Sequence, residues 1–254
     1  MKQFNSLDEI KNIKETVVAL GNFDGVHKGH QELIRRTVKS AKMAGLKSAV
    51  FTFTNHPKNV LAGKPVIKNI LYIEDKAEII KSLGVDYLFS LEFNEIIQHL
   101  SAEEFIQKLL LGAFKMREAY CGFNYHFGYK AEGTPETLIH AGMKEGFGIH
   151  VLEPFKIDGN LVSSSFIRKL IADGRVGECK KYMGRNYCVG GEVVVGNKIG
   201  RTIGFPTSNI LIDEAMVTPA HGVYVTYCNY NGVCYQGITN VGIKPTIGDN
   251  KKNI

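Results

Sequence analysis

Between Thr16 and Gly45 the apolar run Val17-Val18-Ala19-Leu20 passes into GNFDGVHKGH and then into QELIRRTVKSAKMAG, whose apolar residues recur at helical spacing. The next run, Ser48 to Thr54 (SAVFTFT), is short and rich in β-branched and aromatic residues, with Asn55-His56-Pro57 as a turn beyond it. Strand, crossover helix and strand make a βαβ unit, whose two strands pair in parallel because a helix returns the chain to the same end of the sheet. An α/β fold with a parallel sheet follows.

The turn of this unit is suited to an anion. Gly21, Gly25 and Gly29 are read as positions of positive φ and close backbone approach, and the helix behind them offers N–H groups and a positive dipole end. His27 and His30 flank Lys28-Gly29, where two imidazoles can donate to phosphate oxygens and stabilise added negative charge. Neither a GxGxxG turn nor a P-loop lysine is present. The competing reading is a helix N-terminus that the histidines merely cap.

Further along, Asp75 to Leu83 reads as a helix ended by Gly84, and Tyr87 to Leu91 as a strand. Ser101 to Leu111 reads as a helix with a capping box (Ser101, Glu104), Ala119 to Gly122 as a strand, Thr134 to Glu145 as a helix and Gly148 to Leu152 as the last strand. Ligands of open α/β sheets sit beyond the carboxyl ends of the strands, where the connecting loops gather. Ser164-Ser165 then opens the helix SSFIRKLIADG, with Ser163 or Ser164 as N-cap. It is a second candidate anion site with Arg168 one turn in, or else an ordinary cap with a surface arginine.

Beyond Gly184 the pattern changes to short β-rich runs split by glycines, with an Asn-Gly hairpin signal at 231–232, which argues an antiparallel sheet or small barrel. GRTIGFPTSN lies here. Its glycines can wrap a phosphate, and Thr207 with Asn209 offers oxygen ligands to a hard cation such as Mg²⁺; otherwise the string is a glycine-rich hairpin corner.

At 254 residues, 44% hydrophobic and 22% charged, the chain can bury a good core and divides naturally into two domains. No apolar run approaches the roughly 18 residues of a membrane span, and the N-terminus lacks a signal peptide's apolar core, so a cytoplasmic protein without membrane partners is expected. The five cysteines include no C-x-x-C pair, which excludes the usual disulfide and zinc patterns. The formal charge of +6 is scattered among acidic residues, so no nucleic-acid partner is expected.

H-x-G-H after a first strand resembles the signature of the nucleotidylyltransferase superfamily, and GNFDGVHKGHQ is similar to one branch, the bacterial bifunctional riboflavin kinase/FAD synthetases. GFNYHFG (Gly122 to Gly128), VSSSFIR (Val162 to Arg168) and GRTIGFPTSNI (Gly200 to Ile210) resemble that family's flavin-site, phosphate-site and kinase motifs, in its order. The resemblance implies a Rossmann-like nucleotidylyltransferase domain over 1–184 and a riboflavin kinase-like β-barrel over 185–254. It implies transfer of AMP from Mg²⁺-ATP to FMN, yielding FAD and pyrophosphate, and, if the C-terminal domain is complete in the full protein, phosphorylation of riboflavin to FMN.

Its site residues carry over as follows. His27, His30 and Arg168 would be catalytic; Gly21, Asn22, Phe23, Gly29, Ser163 and Ser164 would bind ATP and its phosphates. Asn124 and His56 would belong to the flavin site, with Phe123, Tyr125 and Phe127 as candidate ring partners. Gly200, Thr207 and Asn209 would serve the kinase nucleotide, the last two also the metal. Apart from the resemblance, Asp24 is read as orienting the loop rather than touching the metal, as an Asx-type cap in a tight turn does. The chain departs from the family at Ser165 (Thr), Ser208 (Ala) and His126 (often Arg), and Ile254 precedes the family's catalytic Glu. The alternatives are an adenylyltransferase with an inactive barrel, or a flavin- and ATP-binding module without turnover.

Overall fold

The computed structural model describes residues 1–195, 204, 207–243 and 252–253. The chain forms two compact units, Met1–Ser164 and Ser165–Ile254.

In the first unit the elements run β1 (Lys2–Phe4), β2 (Thr16–Leu20), α1 (Lys28–Ala44), β3 (Lys47–Phe53), α2 (Pro57–Ala62), α3 (Ile73–Ser82), β4 (Tyr87–Leu91), α4 (Glu95–Gln98) and α5 (Ala102–Glu104). They continue through a π-helix (Phe105–Ala113), β5 (Met116–Gly122), α6 (Pro135–Glu145), β6 (Gly148–Leu152) and the small hairpin β7 (Lys156–Ile157) and β8 (Asn160–Leu161). Six strands form one parallel sheet in the order β1-β4-β3-β2-β5-β6. The winding runs outward from β2 through β3 to β4 and then returns to lay β5 on the other side of β2. That reversal creates a crevice beyond the carboxyl ends of β2 and β5.

β2 is central because it is apolar on both faces: each of its five residues is buried. Full burial of each Val or Leu stabilises by about 1.5–3 kcal/mol. On one side of the sheet Phe89 and Phe114 stack with centroids 4.2 Å apart, and Phe51 packs 5.1 Å from Phe114.

Most expected elements form within a few residues of their predicted bounds. β1 and α2 were not anticipated, and His56 is the N-cap of α2 rather than part of a simple turn. The Ser101/Glu104 capping box is present, with Glu104 N–H donating to Ser101 Oγ at 3.1 Å and Ser101 N–H to Glu104 Oε2 at 3.0 Å. The helix it opens then widens to π pitch. At Gly112 a side chain would begin 3.0 Å from the Gln107 carbonyl oxygen, so glycine suits the wider turn.

The second unit contains α7 (Ser164–Ala172) from its second residue, α8 (Val176–Met183), which was not anticipated, and the strands β9 (Glu192–Val194), β10 (Asn209–Leu211), β11 (Gly222–Tyr230), β12 (Val233–Ile243) and β13 (Lys252–Asn253). The strands form an antiparallel sheet in the order β11-β12-β13-β10-β9. Asn231 (φ 48°) and Gly232 (φ 78°) close the β11–β12 hairpin, as the two consecutive left-handed residues of the tightest hairpin turn require.

Candidate active site

The loop after β2, residues 21–27, occupies the crevice, and its shape departs from the glycine-based expectation. Only Gly25 of the three glycines has positive φ (78°); the other left-handed positions are Phe23 (48°) and Val26 (34°). Both of those side chains are buried, and packing holds them in a conformation that costs about 1–3 kcal/mol for a non-glycine residue. Gly21 and Gly29 are needed for space instead. A Cβ on Gly21 would lie 3.2 Å from the Phe23 ring, and one on Gly29 would lie 3.2 Å from both the His27 ring and Phe155.

The loop is tied down from four directions. Thr52 Oγ1 donates to the Asn22 carbonyl (2.8 Å), Gln31 Nε2 to that of Val26 (2.9 Å) and Ser164 Oγ to that of Asp24 (2.8 Å). The Asp24 carboxylate accepts the main-chain N–H of Ile70 at 2.9 and 3.2 Å, so Asp24 does orient the loop.

His27 is the N-cap of α1, and its Nδ1 accepts the His30 N–H at 3.2 Å. The two imidazoles stack with centroids 3.6 Å apart and an 18° interplanar angle, while Phe23 meets the His30 ring edge-on at 5.1 Å. His30 is half-buried, but its Nδ1 is enclosed and has no hydrogen-bond partner. An enclosed lone pair costs less than an enclosed N–H, which puts the ring proton on Nε2. His27 Nδ1 is already an acceptor, so its proton also belongs on Nε2. Burial, then the neighbouring His27, then Lys76 push the His30 pKa well below the usual imidazole range, so His30 is neutral at pH 7. The capping reading and the anion-site reading are therefore compatible: the cap uses Nδ1 of His27, and donation would use the other ring nitrogen.

Lys76, which sequence reasoning passed over, stands behind this loop. It is only 8% exposed, and its Nζ donates to Phe53 O (3.0 Å), Thr52 Oγ1 (3.2 Å) and Asn22 O (3.4 Å). Burial lowers its pKa to about 8, against the attraction of Asp24.

The other expected residues distribute as follows. Asn124 is exposed just past β5, the neighbour of β2. Phe127 is buried and Tyr125 packs on the core, leaving Phe123, 45% exposed, as the open ring of the three. His56 caps α2 through Nδ1, which accepts the Lys58 N–H at 3.2 Å, at the end of β3. Ser163 precedes α7. Ser164 spends its one hydroxyl proton on Asp24, which leaves lone pairs, not a donor, for an approaching phosphate. Arg168 belongs to the second unit, as do Thr207, exposed, and Asn209, which opens β10 opposite Val194. Gly200 lies outside the described residues. Burial pushes the thiols of Cys121 and Cys179 up to about 12 and about 11, so neither is a nucleophile at neutral pH.

Comparison with known proteins bears on the whole arrangement. Residues 9–166 match the family model for FAD synthetase, and residues 183–254 that for riboflavin kinase. The chain is 36% identical over 233 residues to the bifunctional riboflavin kinase/FMN adenylyltransferase of Bacillus subtilis, covering 91% of this chain and 73% of that one. The chain belongs to this family.

The family enzyme of Listeria monocytogenes is likewise 36% identical, over 96% of this chain and 77% of its own length, and that of Escherichia coli is 31% identical over 91% and 74%. A crystal structure from Streptococcus pneumoniae, named as a macrolide-efflux protein, has the same fold with a TM-score of 0.89 and 32% identity, over 99% of this chain and 82% of that one. Among the described residues no helix is long and apolar enough to cross a membrane.

Proposed function

We propose that this chain makes FAD by transferring AMP from ATP to the phosphate of FMN, and that its second half phosphorylates riboflavin to FMN with ATP. The observation that carries the first reaction is the stacked pair His27 and His30 at the start of α1, in the crevice beside β2; from their hydrogen bonding we infer that each ring carries its proton on Nε2. We assign adenylyl transfer to 1–184 and phosphorylation to 185–254.

A non-bridging oxygen of the FMN phosphate attacks the α-phosphorus of ATP, the bond from that phosphorus to the bridging oxygen of the β-phosphate breaks, and pyrophosphate leaves with the electron pair. The nucleophile is already ionised at pH 7, so the protein's tasks are alignment and charge stabilisation. His27 and His30 donate Nε2–H bonds to the α-phosphate oxygens, on which negative charge grows in the transition state. The rigid loop of Gly21, Asn22, Phe23 and Gly29 frames that phosphate. Arg168 and the first turn of α7, with Ser163 and Ser164, hold the departing pyrophosphate, Arg168 by charge and the turn by main-chain N–H groups. Asn124 pairs with the edge of the flavin, Phe123 stacks on it, and His56 borders the site from the neighbouring loop.

Mg²⁺ accompanies ATP. Among the described residues no three His, Cys, Asp or Glu side chains gather as a metal site, and Thr207 and Asn209 contribute neutral oxygens only, a donor set that suits a cation whose remaining ligands are nucleotide phosphates. Thr207 and Asn209 would hold Mg²⁺ there, and the ion would supply neutralisation of phosphate charge in the kinase reaction. Free thiols at Cys121, Cys179, Cys188, Cys228 and Cys234 agree with a reducing cytoplasm.

The test is chromatography of products from the purified chain with Mg²⁺-ATP, offered FMN and riboflavin in separate reactions. FAD from FMN is expected, and its absence removes the adenylyl-transfer reading. FMN from riboflavin is expected to disappear in Thr207→Ala while FAD synthesis persists; no FMN from the parent chain removes the kinase reading.

A further inference from the structure

α3 approaches the site with the sequence IEDKAEIIKS, in which Lys76, Ala77 and Ile80 are the buried residues. A lysine on the inward face of a helix must give up its hydration, and this one recovers it through Asn22, Thr52 and Phe53, all uncharged acceptors. Three ammonium protons meet three acceptors. Two of the acceptors close β3, and the third is the carbonyl at the head of the histidine loop. One side chain from a third element thus joins the carboxyl ends of the two central strands. The charged and titratable groups that interact with it electrostatically are the Asp24 carboxylate of the loop and the His30 ring of α1.

We propose that Lys76 is a positioning residue for adenylyl transfer: its ammonium ties the main chain of the histidine loop at Asn22 to the end of β3 and so sets where the His30 ring sits at the start of α1. The inference rests on the function proposed above. Two consequences follow from the geometry. A neutral His30 keeps its single proton on Nε2, because the enclosed Nδ1 has no acceptor to support a second one. The charge of Lys76 also lies behind the loop that receives a polyphosphate, where little water screens it.

The experiment compares the wild type with Lys76→Met, which keeps length and apolar stem but removes charge and donors, and with Lys76→Arg, which keeps the charge. Product chromatography gives kcat/KM for FAD formation across pH, and NMR follows the His30 ring.

The wild type is expected to lose kcat/KM with a midpoint near the Lys76 value of about 8. Its His30 signals should show a second inflection there. In Lys76→Met, kcat/KM should fall roughly 10- to 100-fold, mostly in kcat, with that alkaline limb gone and the His30 titration moved upward. Lys76→Arg should recover part of the rate without the limb. A folded Lys76→Met within threefold of wild type, with unchanged pH profile and His30 titration, overturns the proposal. If Lys76→Met does not fold, the wild-type data decide: a flat rate profile through pH 8 and no second His30 inflection overturn it. A wild type that makes no FAD removes the proposed reaction, while the His30 titrations still test the link from Lys76 to His30.

Discussion

Ser164 Oγ donates a 2.8 Å hydrogen bond to the main-chain carbonyl of Asp24, 140 residues earlier in the chain. The bond joins two motifs that the sequence shows only as separate strings. In Ser164→Ala the carbonyl loses its partner, and a net contribution of about 0.5–1.5 kcal/mol goes with it. FAD formation is expected to fall about 3- to 10-fold in kcat/KM, with midpoint urea concentration slightly lowered. A rate within error of wild type shows that the tie does not set the loop.

His27 carries a structural and a chemical role on different nitrogens, and a substitution can separate them. Asparagine is among the best N-caps and an alanine cap costs about 1 kcal/mol. His27→Asn should therefore keep the thermal midpoint while losing about 100-fold or more in kcat, and His27→Ala should lose both. Equal stability of the two variants argues against the capping role; activity in His27→Asn argues against the chemical one.

The depressed pKa of His30 fixes the sign of one contribution to stability. Between the ordinary imidazole value of about 6.5 and the lower folded value, the unfolded chain binds more protons than the folded one, so stability falls as pH drops through that window. Urea unfolding at pH 7.5 and 5.5 should show a larger loss for the wild type than for His30→Gln. The opposite order is incompatible with a neutral, enclosed His30.

Gly25 and Gly45 both have positive φ, 78° and 69°, but only the first is crowded: a Cβ there meets Ile70 Cδ1 at 3.0 Å, whereas nothing lies within 4 Å at Gly45. Gly45→Ala should cost only the left-handed penalty of about 1–2 kcal/mol and leave FAD synthesis intact. Gly25→Ala should cost more and reduce FAD synthesis, because Ile70 also holds Asp24. Chemical denaturation of the pair alongside the product assay separates strain from crowding.

The parallel sheet was legible because β2, α1 and β3 each show the right period and join through short connections. The antiparallel hairpin was legible because Asn231-Gly232 meets a backbone demand that few pairs satisfy. The histidine loop was legible in its residues but not in its conformation: burial makes Phe23 and Val26, rather than Gly21 and Gly29, adopt unusual φ, and no local rule reports burial. α2 was hidden in a six-residue segment that a turn explains equally well, and the π-helix has the apolar content of an ordinary helix. Lys76 was illegible for the same reason as Phe23. In IEDKAEIIKS it has the same local character as Lys81, and only the packing of α3 separates the buried lysine from the one on the surface.

The bond from Ser164 to Asp24 also sets an order of events during synthesis. At roughly 5–20 residues per second, the ribosome delivers Ser164 on the order of ten seconds after Asp24. Over that interval a nascent chain carries both histidines and no finished loop, since Thr52, Ile70 and Lys76 arrive first and the serine last. The motif nearest the start of the chain is thus among the last parts of its unit to receive all of its ties, although most of its residues are made early.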